Sequence, residues 1–187
     1  RRFIVNKTVL EPRPESEDII SLLTSLNLTG TPTIVDIGTG SGALAISAKL
    51  EIPKATLLAT DIDPKCLKVA KANAQMHKAE VMFYKGDLLA AAPSRIIDII
   101  MANLPYVPDS HKINRAAAME PRTAIFGGSD GLEIYRRLFS GLPTSKPGCI
   151  LTESLPPQHR KLASIAKSAN YRLMKTEGFI QLFVPTP

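Results

Sequence analysis

Thr33-Ile34-Val35-Asp36-Ile37-Gly38-Thr39-Gly40-Ser41-Gly42 decides the fold. Its first half is a short β-branched apolar run ending around an acid, and its second half places glycines at 38, 40 and 42. The helical pattern Ala43-Leu44-Ala45-Ile46-Ser47-Ala48-Lys49-Leu50 follows without a spacer. Strand, glycine turn and helix make the first unit of a parallel α/β sheet, in which glycines let the backbone approach a ligand closely at the strand's carboxyl edge. A second unit follows. Ala55 to Thr60 reads as a buried strand ending in Asp61, and Pro64 opens a helix carrying Leu67, Val69, Ala70 and Ala74.

Outward from there, Val81 to Lys85, Ile97 to Ala102, Cys149 to Thr152, Tyr171 to Thr176 and Phe179 to Val184 read as strands, with helices over Asp130 to Phe139 and Gln158 to Ala169. Only Glu177-Gly178 separates the last two strands, so one of them runs antiparallel. The expected fold is α/β: a mostly parallel, Rossmann-like sheet of seven strands ending in an antiparallel hairpin. Ligand binding is expected at the carboxyl ends of the first, second and fourth strands, where the strand order reverses. Residues 1–30 form a lead-in, with a hairpin over Arg2 to Leu10, a Pro-rich linker and a helix over Pro14 to Leu28; residues 31–187 form the main domain.

Composition suits one such domain. The chain has 187 residues, 44% of them hydrophobic, enough for a substantial core. No apolar run approaches the roughly 20 residues of a membrane span and no signal-peptide core follows Arg1-Arg2, so a cytoplasmic monomer without membrane contact is expected. Cys66 and Cys149 lack metal-ligand spacing and read as reduced, packed thiols, and no metal site is expected. His77, His111 and His159 read as surface or loop residues. The net charge of +6 suits either an RNA or ribosome-associated partner or, the preferred reading, a solvated basic surface, with Lys65, Lys68, Lys71 and Lys78 largely on one helix face.

The strand ends carry the chemistry. Asp61 lies 19 residues beyond Gly42, near the spacing at which an acid accepts both hydroxyls of an adenosine ribose; the alternative is a helix cap, for which Asp63, directly before Pro64, is the stronger candidate. Gly38, Gly40 and Ala43 also satisfy a dinucleotide pattern, so a nicotinamide enzyme stays open at this point. Asp36, two residues before Gly38, and Gly42 favour S-adenosylmethionine, because a pyrophosphate gains little from an acid there. Asp36 either orients loop amides or meets the ligand's amino group. Gly86-Asp87-Leu88, after the third strand, puts Asp87 and Leu88 beside an adenine ring, or is ordinary turn chemistry.

Asn103-Leu104-Pro105-Tyr106 ends the apolar run Ile96 to Ala102. It offers a planar NH2 group a side-chain carbonyl, a backbone carbonyl and an aromatic face together. An amide or exocyclic amino nitrogen is a poor nucleophile, because its lone pair is delocalised, so position and polarisation carry its methylation. In that reading Asn103 and the Leu104 carbonyl each take an N–H, Pro105 stiffens the turn and Tyr106 stacks on the acceptor. Read locally, the same residues are a strand-ending turn.

These blocks together resemble the HemK/PrmC family of protein-glutamine methyltransferases, which act on the Gly-Gly-Gln loop of peptide chain release factors. Val9-Leu10-Glu11-Pro12-Arg13-Pro14-Glu15-Ser16-Glu17 is similar to the family's V-L-I-P-R-P-E-T-E, Asp36 to Gly42 to its D-x-G-T-G-S/T-G, and Asp61-Ile62-Asp63-Pro64 to its D-I-S-P. Asn103 to Tyr106 stands at its Asn-Pro-Pro-Tyr, and Glu120-Pro121-Arg122 with Phe126-Gly127-Gly128-Ser129-Asp130-Gly131-Leu132 is similar to its E-P-x-x-A-L-x-G-G-x-D-G-L. The resemblance implies a class I methyltransferase fold and S-adenosylmethionine as cofactor. Gly38, Thr39, Gly40, Ser41 and Gly42 would hold its methionine part with Asp36 beside them, Asp61 its ribose, and Asp87 and Leu88 its adenine. Asn103, Leu104, Pro105 and Tyr106 would hold the acceptor amide of a release factor, with Asn103 also bordering the cofactor. Arg13, Glu15 and Glu120 either order the acceptor loop or form structural ion pairs. Two departures stand out. Leu104 replaces the first motif proline, as in rRNA adenine dimethyltransferases, and the family's small N-terminal helical domain is absent from this chain. The rival readings are an RNA adenine or guanine methyltransferase, a nicotinamide oxidoreductase and a cofactor-binding module without activity.

Overall fold

The computed structural model describes residues 1–93, 96–115 and 117–187. One sheet contains β1 (Thr33–Ile37), β2 (Thr56–Asp61), β3 (Val81–Lys85), β4 (Ile99–Ala102), β5 (Cys149–Glu153), β6 (Tyr171–Glu177) and β7 (Ile180–Pro185). Its order is β3-β2-β1-β4-β5-β7-β6, with β7 antiparallel to both neighbours and the remaining neighbouring pairs parallel. This is the expected seven-stranded sheet with its terminal hairpin. The chain leaves β1 toward β2 on one side and enters β4 on the other, so the loops after β1 and β4 diverge and open a crevice at their carboxyl ends.

The helices are α1 (Glu17–Ser25), α2 (Ala43–Glu51), α3 (Pro64–His77), α4 (Arg122–Ile125), α5 (Glu133–Ser140) and α6 (His159–Ser168). Successive strand residues face opposite sides of a sheet. Val35, Ile37, Leu58, Ile100 and Ile150 therefore pack against Tyr135, Leu138 and Phe139 of α5 and Leu162 and Ala166 of α6. On the other face, Ile34, Leu57, Ile99, Met101 and Leu151 pack against Ile19, Leu22 and Leu23 of α1 and Ala48 of α2. With both faces covered, the central strands are apolar at nearly every position. Each fully buried Leu or Ile contributes about 1.5–3 kcal/mol, which fixes the sheet as a rigid floor for the loops above it.

Boundaries differ from the sequence expectation where side chains compete with the ladder. β4 begins at Ile99 rather than Ile97, because Asp98 turns its carboxylate onto the Thr33 amide (2.7 Å) and its own amide onto the Thr33 carbonyl (2.9 Å). The helix read over Pro14 to Leu28 is a 3-10 turn at Pro14–Ser16 followed by α1, which stops when Leu26 goes extended. The helix read from Asp130 starts at Glu133, since residues 127–132 form a tight loop. Residues 2–10 are not a hairpin: they carry no strand and turn at residues 7–9. Their partner is α3. Asn73 brackets Ile4, accepting its amide at 2.7 Å and donating to its carbonyl at 3.0 Å, while Cys66 Sγ lies 3.2 Å from the Thr8 carbonyl. His77 meets the Arg2 carbonyl at 2.7 Å. Among the described residues, no helix is long and apolar enough to cross a membrane.

Candidate active site

The glycine loop is shaped by close approach. Gly38, Gly40 and Gly42 have φ of 69°, 54° and 82°, in the left-handed region that favours glycine. A Cβ on Gly42 would lie 3.0 Å from Ala70 Cβ and 3.1 Å from Ile46 Cδ1, so this glycine lets the loop cross α3. Gly38 and Thr39 donate their amides to the Thr60 carbonyl at 2.9 Å. Asp36 is buried, and its Oδ2 accepts from the Thr39 hydroxyl (2.6 Å) and the Ala45 amide (3.2 Å). Of the two roles read for it, orienting the loop is the one these contacts display. Burial pushes its carboxyl up to about 6, against the lowering effect of those two donors.

Asp61 ends β2 beside this loop. Its Oδ2 accepts the Gly40 amide and its Oδ1 the Asp63 amide, both at 2.9 Å, and burial raises its pKa. It does not cap α3. Asp63 does so, accepting the Lys65 amide at 2.8 Å. Gly86 donates to the Asp61 carbonyl at 3.0 Å, bringing Asp87 and Leu88 to the same place. Leu88 has φ of 49°, and the Asp87 carboxylate pairs with Arg137. A cavity of about 870 Å³ joins Asp36, residues 38–41, Asp61, Asp87, Leu88, Asn103, Leu104 and Pro105. Gly42 and Tyr106 are not among its lining residues.

At the end of β4, the Asn103 Nδ2 donates to Ser16 Oγ (2.8 Å), and Ser16 donates to Glu153 Oε2 (2.6 Å). The Tyr106 hydroxyl donates to Glu153 Oε1 at 2.9 Å. Among the described residues, nothing donates to Asn103 Oδ1 or to the Leu104 carbonyl. The Leu104 amide, which a proline would lack, donates to the Tyr135 hydroxyl at 3.2 Å. Tyr135 itself is fully buried and donates to the Glu153 carbonyl at 2.5 Å. Glu153 is 1% exposed; burial raises its pKa while the Ser16 and Tyr106 hydroxyls and the Asn103 carboxamide hold it down. Sequence reasoning missed Glu153. Its signal was an acid closing the otherwise uncharged strand Cys149-Ile150-Leu151-Thr152-Glu153, at the carboxyl edge where ligands sit.

The glycine-rich block after α4 is the support for this motif. A Cβ on Gly127 would lie 2.3 Å from the Pro105 carbonyl, and one on Gly131 would lie 2.0 Å from the Tyr106 carbonyl. Val107 donates to the Ile125 carbonyl and receives the Gly127 amide, both at 2.9 Å. Gln158 Nε2 joins the Tyr106 carbonyl (2.7 Å) to the Asp130 carbonyl (2.9 Å). The Arg136 guanidinium holds the Asp130 carboxyl well below the usual carboxylate range, with Lys161 assisting. Arg13 pairs with Glu120, whose Oε1 also accepts the Glu11 amide at 3.1 Å, tying the Pro-rich segment to the loop before α4. Glu15 takes no part in that pair. Cys66 and Cys149 are free and buried, with burial pushing each thiol up to about 12.

This arrangement has relatives. Residues 19–120 match the methyltransferase small domain. The release factor glutamine methyltransferase of Enterococcus faecalis is 39% identical over 139 residues, 73% of this chain and 50% of that protein. That of Deinococcus radiodurans is 33% identical over 176 residues, 91% of this chain and 63% of that protein. The chain thus spans about half to two-thirds of the length of these relatives. Among solved structures, the ribosomal protein L11 methylase of Lactobacillus delbrueckii subsp. bulgaricus superposes with a TM-score of 0.66 at 20% identity, covering 94% of this chain and 81% of its own. The T. thermophilus 16S rRNA N2 G1207 methyltransferase, solved with AdoMet and guanosine, gives 0.67 at 16% identity, covering 95% and 44%. Those two likenesses establish the class I methyltransferase fold. Matched over more than half its length by that family model, the chain belongs to the methyltransferase small domain family.

Proposed function

We propose that this chain transfers a methyl group from S-adenosylmethionine to the side-chain amide nitrogen of a protein glutamine, that of the Gly-Gly-Gln loop of a peptide chain release factor. The observation that carries the reading is the Asn103 carboxamide. Its nitrogen is committed to Ser16, while its oxygen and the adjacent Leu104 carbonyl, both on residues lining the cavity, have no donor among the described residues. Two neighbouring acceptors suit the two N–H bonds of a primary amide. The names of the curated relatives support a release factor as the protein that carries it.

The residues present fit the cofactor. The cavity falls within the usual 300–1,000 Å³ of a small-molecule site. Each Asp61 oxygen takes one backbone N–H and keeps a lone pair for a ribose hydroxyl. Bound there, S-adenosylmethionine supplies a methyl group carried on a positively charged sulfur. The chain's part is alignment. Asn103 Oδ1 and the Leu104 carbonyl each take one hydrogen of the acceptor nitrogen, which turns its lone pair toward the glycine loop and draws off positive charge as the N–C bond forms. One of those hydrogens then leaves as a proton to solvent.

Incubation of the chain with labelled S-adenosylmethionine, a release factor and total rRNA tests the reading. Label is expected on the release factor glutamine, and Asn103→Ala is expected to lower transfer by about 10²–10³-fold with little change in melting temperature. Label in rRNA alone overturns the protein-substrate reading, and full activity of Asn103→Ala overturns the role of the carboxamide.

A further inference from the structure

We infer that Glu153, acting through the Ser16 hydroxyl, is the positioning residue that sets which way the Asn103 carboxamide faces. The inference rests on the reading of Asn103 as the amide-binding group and assigns the orientation of that group to a buried carboxylate that meets it through Ser16 and also takes a hydrogen bond from the Asn103 side chain itself.

The argument is a count of hydrogens. An ionised carboxylate only accepts. Glu153 Oε2 takes the hydrogen of Ser16 Oγ at 2.6 Å, and Oε1 takes that of the Tyr106 hydroxyl at 2.9 Å. A serine hydroxyl has one hydrogen, so once it points at Glu153 the group meeting Ser16 from Asn103 at 2.8 Å has to be a donor. That group is Nδ2, which leaves Oδ1 for the acceptor amide. A glutamine at position 153 has one acceptor where Glu153 offers two, so it cannot take both hydroxyl hydrogens; when its N–H faces Ser16, the serine hydrogen turns toward Asn103 and the carboxamide is drawn round to present Nδ2 to the substrate. Two donors would then face each other, and the acceptor nitrogen would lose its hold.

The carboxylate end of this chain of donors is buried, while Ser16 and Asn103 reach the cavity. Glu153 is 1% exposed and Ser16 is 7% exposed. The Glu153 backbone is pinned as well, since its carbonyl accepts the buried Tyr135 hydroxyl and its register on β7 places it opposite Ile180. The other titratable groups that face the carboxylate are Glu15 from the segment before α1, Tyr106 from the loop after β4 and Tyr135 from α5, with Arg13 facing Tyr106. Burial raises the Glu153 pKa, so falling pH protonates it before an ordinary glutamate and weakens the arrangement.

Three variants of the chain separate the possibilities, assayed on a Gly-Gly-Gln peptide at saturating S-adenosylmethionine. Glu153→Gln is expected to lower kcat/KM about tenfold or more, the effect of one hydrogen bond favouring the wrong amide orientation. Ser16→Ala is expected to lower it several-fold, and Ser16→Thr, which keeps the hydroxyl, to restore it. Cofactor affinity by calorimetry stays within about twofold in Glu153→Gln, as Glu153 does not line the cavity. The wild-type kcat/KM falls as pH drops through the raised Glu153 pKa, and that limb is absent in Glu153→Gln. A second readout needs no turnover: the Asn103 side-chain NH2 resonances, identified by their loss in Asn103→Asp, shift with pH in the wild type and not in Glu153→Gln. If Asn103→Ala abolishes transfer while Glu153→Gln and Ser16→Ala retain it and leave the Asn103 resonances unmoved, the positioning inference is overturned and the function stands. If Asn103→Ala is itself active, the reading beneath both fails. Should Glu153→Gln not fold, the contrast between Ser16→Ala and Ser16→Thr decides alone.

Discussion

Replacing Gly131 by alanine tests whether the glycine-rich block supports the acceptor motif. Gly131 has φ of 77°, where a Cβ costs about 1–2 kcal/mol. Space adds more. The new Cβ would sit 2.0 Å from the Tyr106 carbonyl oxygen, 2.8 Å from its carbon and 2.4 Å from Gln158 Nε2. An ordinary contact needs well over 3 Å, so the backbone of residues 106 and 131 has to separate, and the Gln158 bonds to the Tyr106 and Asp130 carbonyls are lost. At about 0.5–1.5 kcal/mol for each bond, with the strain added, the total is roughly 2–5 kcal/mol. Gly30→Ala is the internal control: its φ is 70° and nothing lies within 4 Å of its Cβ, so it feels the strain alone, about 1–2 kcal/mol. Urea unfolding gives both values, and the difference between the variants is the cost of the clash. In the folded fraction of Gly131→Ala, methyl transfer is expected to fall far more than cofactor affinity, because the displaced backbone belongs to the acceptor end. Equal destabilisation of the two variants, or full transfer activity in Gly131→Ala, would refute the supporting role.

Asp61→Ala is expected to weaken S-adenosylmethionine binding by roughly 1.5–3 kcal/mol, the range for bonds to a charged group, as read by titration calorimetry; unchanged affinity moves the ribose contact elsewhere. Asp36 makes a pH prediction. Its folded pKa is raised from 3.8 to about 6, so the folded chain holds that proton more tightly than the unfolded chain, and its contribution is fully present below 3.8 and lost as pH rises to about 6. The unfolding free energy of the cofactor-free wild type, measured relative to Asp36→Asn, should therefore fall by roughly 3 kcal/mol across that window and then level off; a rise would contradict the sign. Leu104→Pro restores the family's motif but removes both the amide that donates to Tyr135 and a side chain that is 4% exposed. A loss of about 2 kcal/mol in stability is expected with transfer per folded molecule unchanged, and unchanged stability would mean that Tyr135 does not use that amide. Tyr106→Phe keeps the ring and loses the bond to Glu153, so a drop as large as that of Tyr106→Ala would place the function of Tyr106 in its hydroxyl rather than in stacking.

What was legible in the sequence was what short-range physics dictates. Ile34, Val35 and Ile37, or Ile99, Ile100 and Met101, lie on strands buried on both faces, so burial itself writes the apolar run. Gly38, Gly40 and Gly42 are needed at their own positions because of their own φ values, and a residue required for its own backbone is visible without its neighbours. Asp61 and Asn103 stand at strand ends, a place that topology marks as functional wherever the order of a parallel sheet reverses. The rest depends on partners distant in the chain. Gly127 and Gly131 are glycines because of the Pro105 and Tyr106 carbonyls, some 20 residues away, and nothing in their own neighbourhood states that. Ser16 meets Glu153 at a separation of 137 residues and Asn103 at 87, so its place in the quoted Pro-Arg-Pro-Glu-Ser-Glu block carried no visible chemistry. The hairpin read over residues 2–10 failed for the same reason: its backbone groups found Asn73, Cys66 and His77 on α3, partners more than 50 residues away. A buried acid at the end of a central strand is the one long-range feature that a sequence does betray, since an ionisable group in that position costs several kcal/mol unless donors surround it. Glu153 satisfies that condition with two hydroxyls, and one of them leads to Asn103. An acid that the fold buries at that cost and connects to Asn103 is what the inferred positioning role requires.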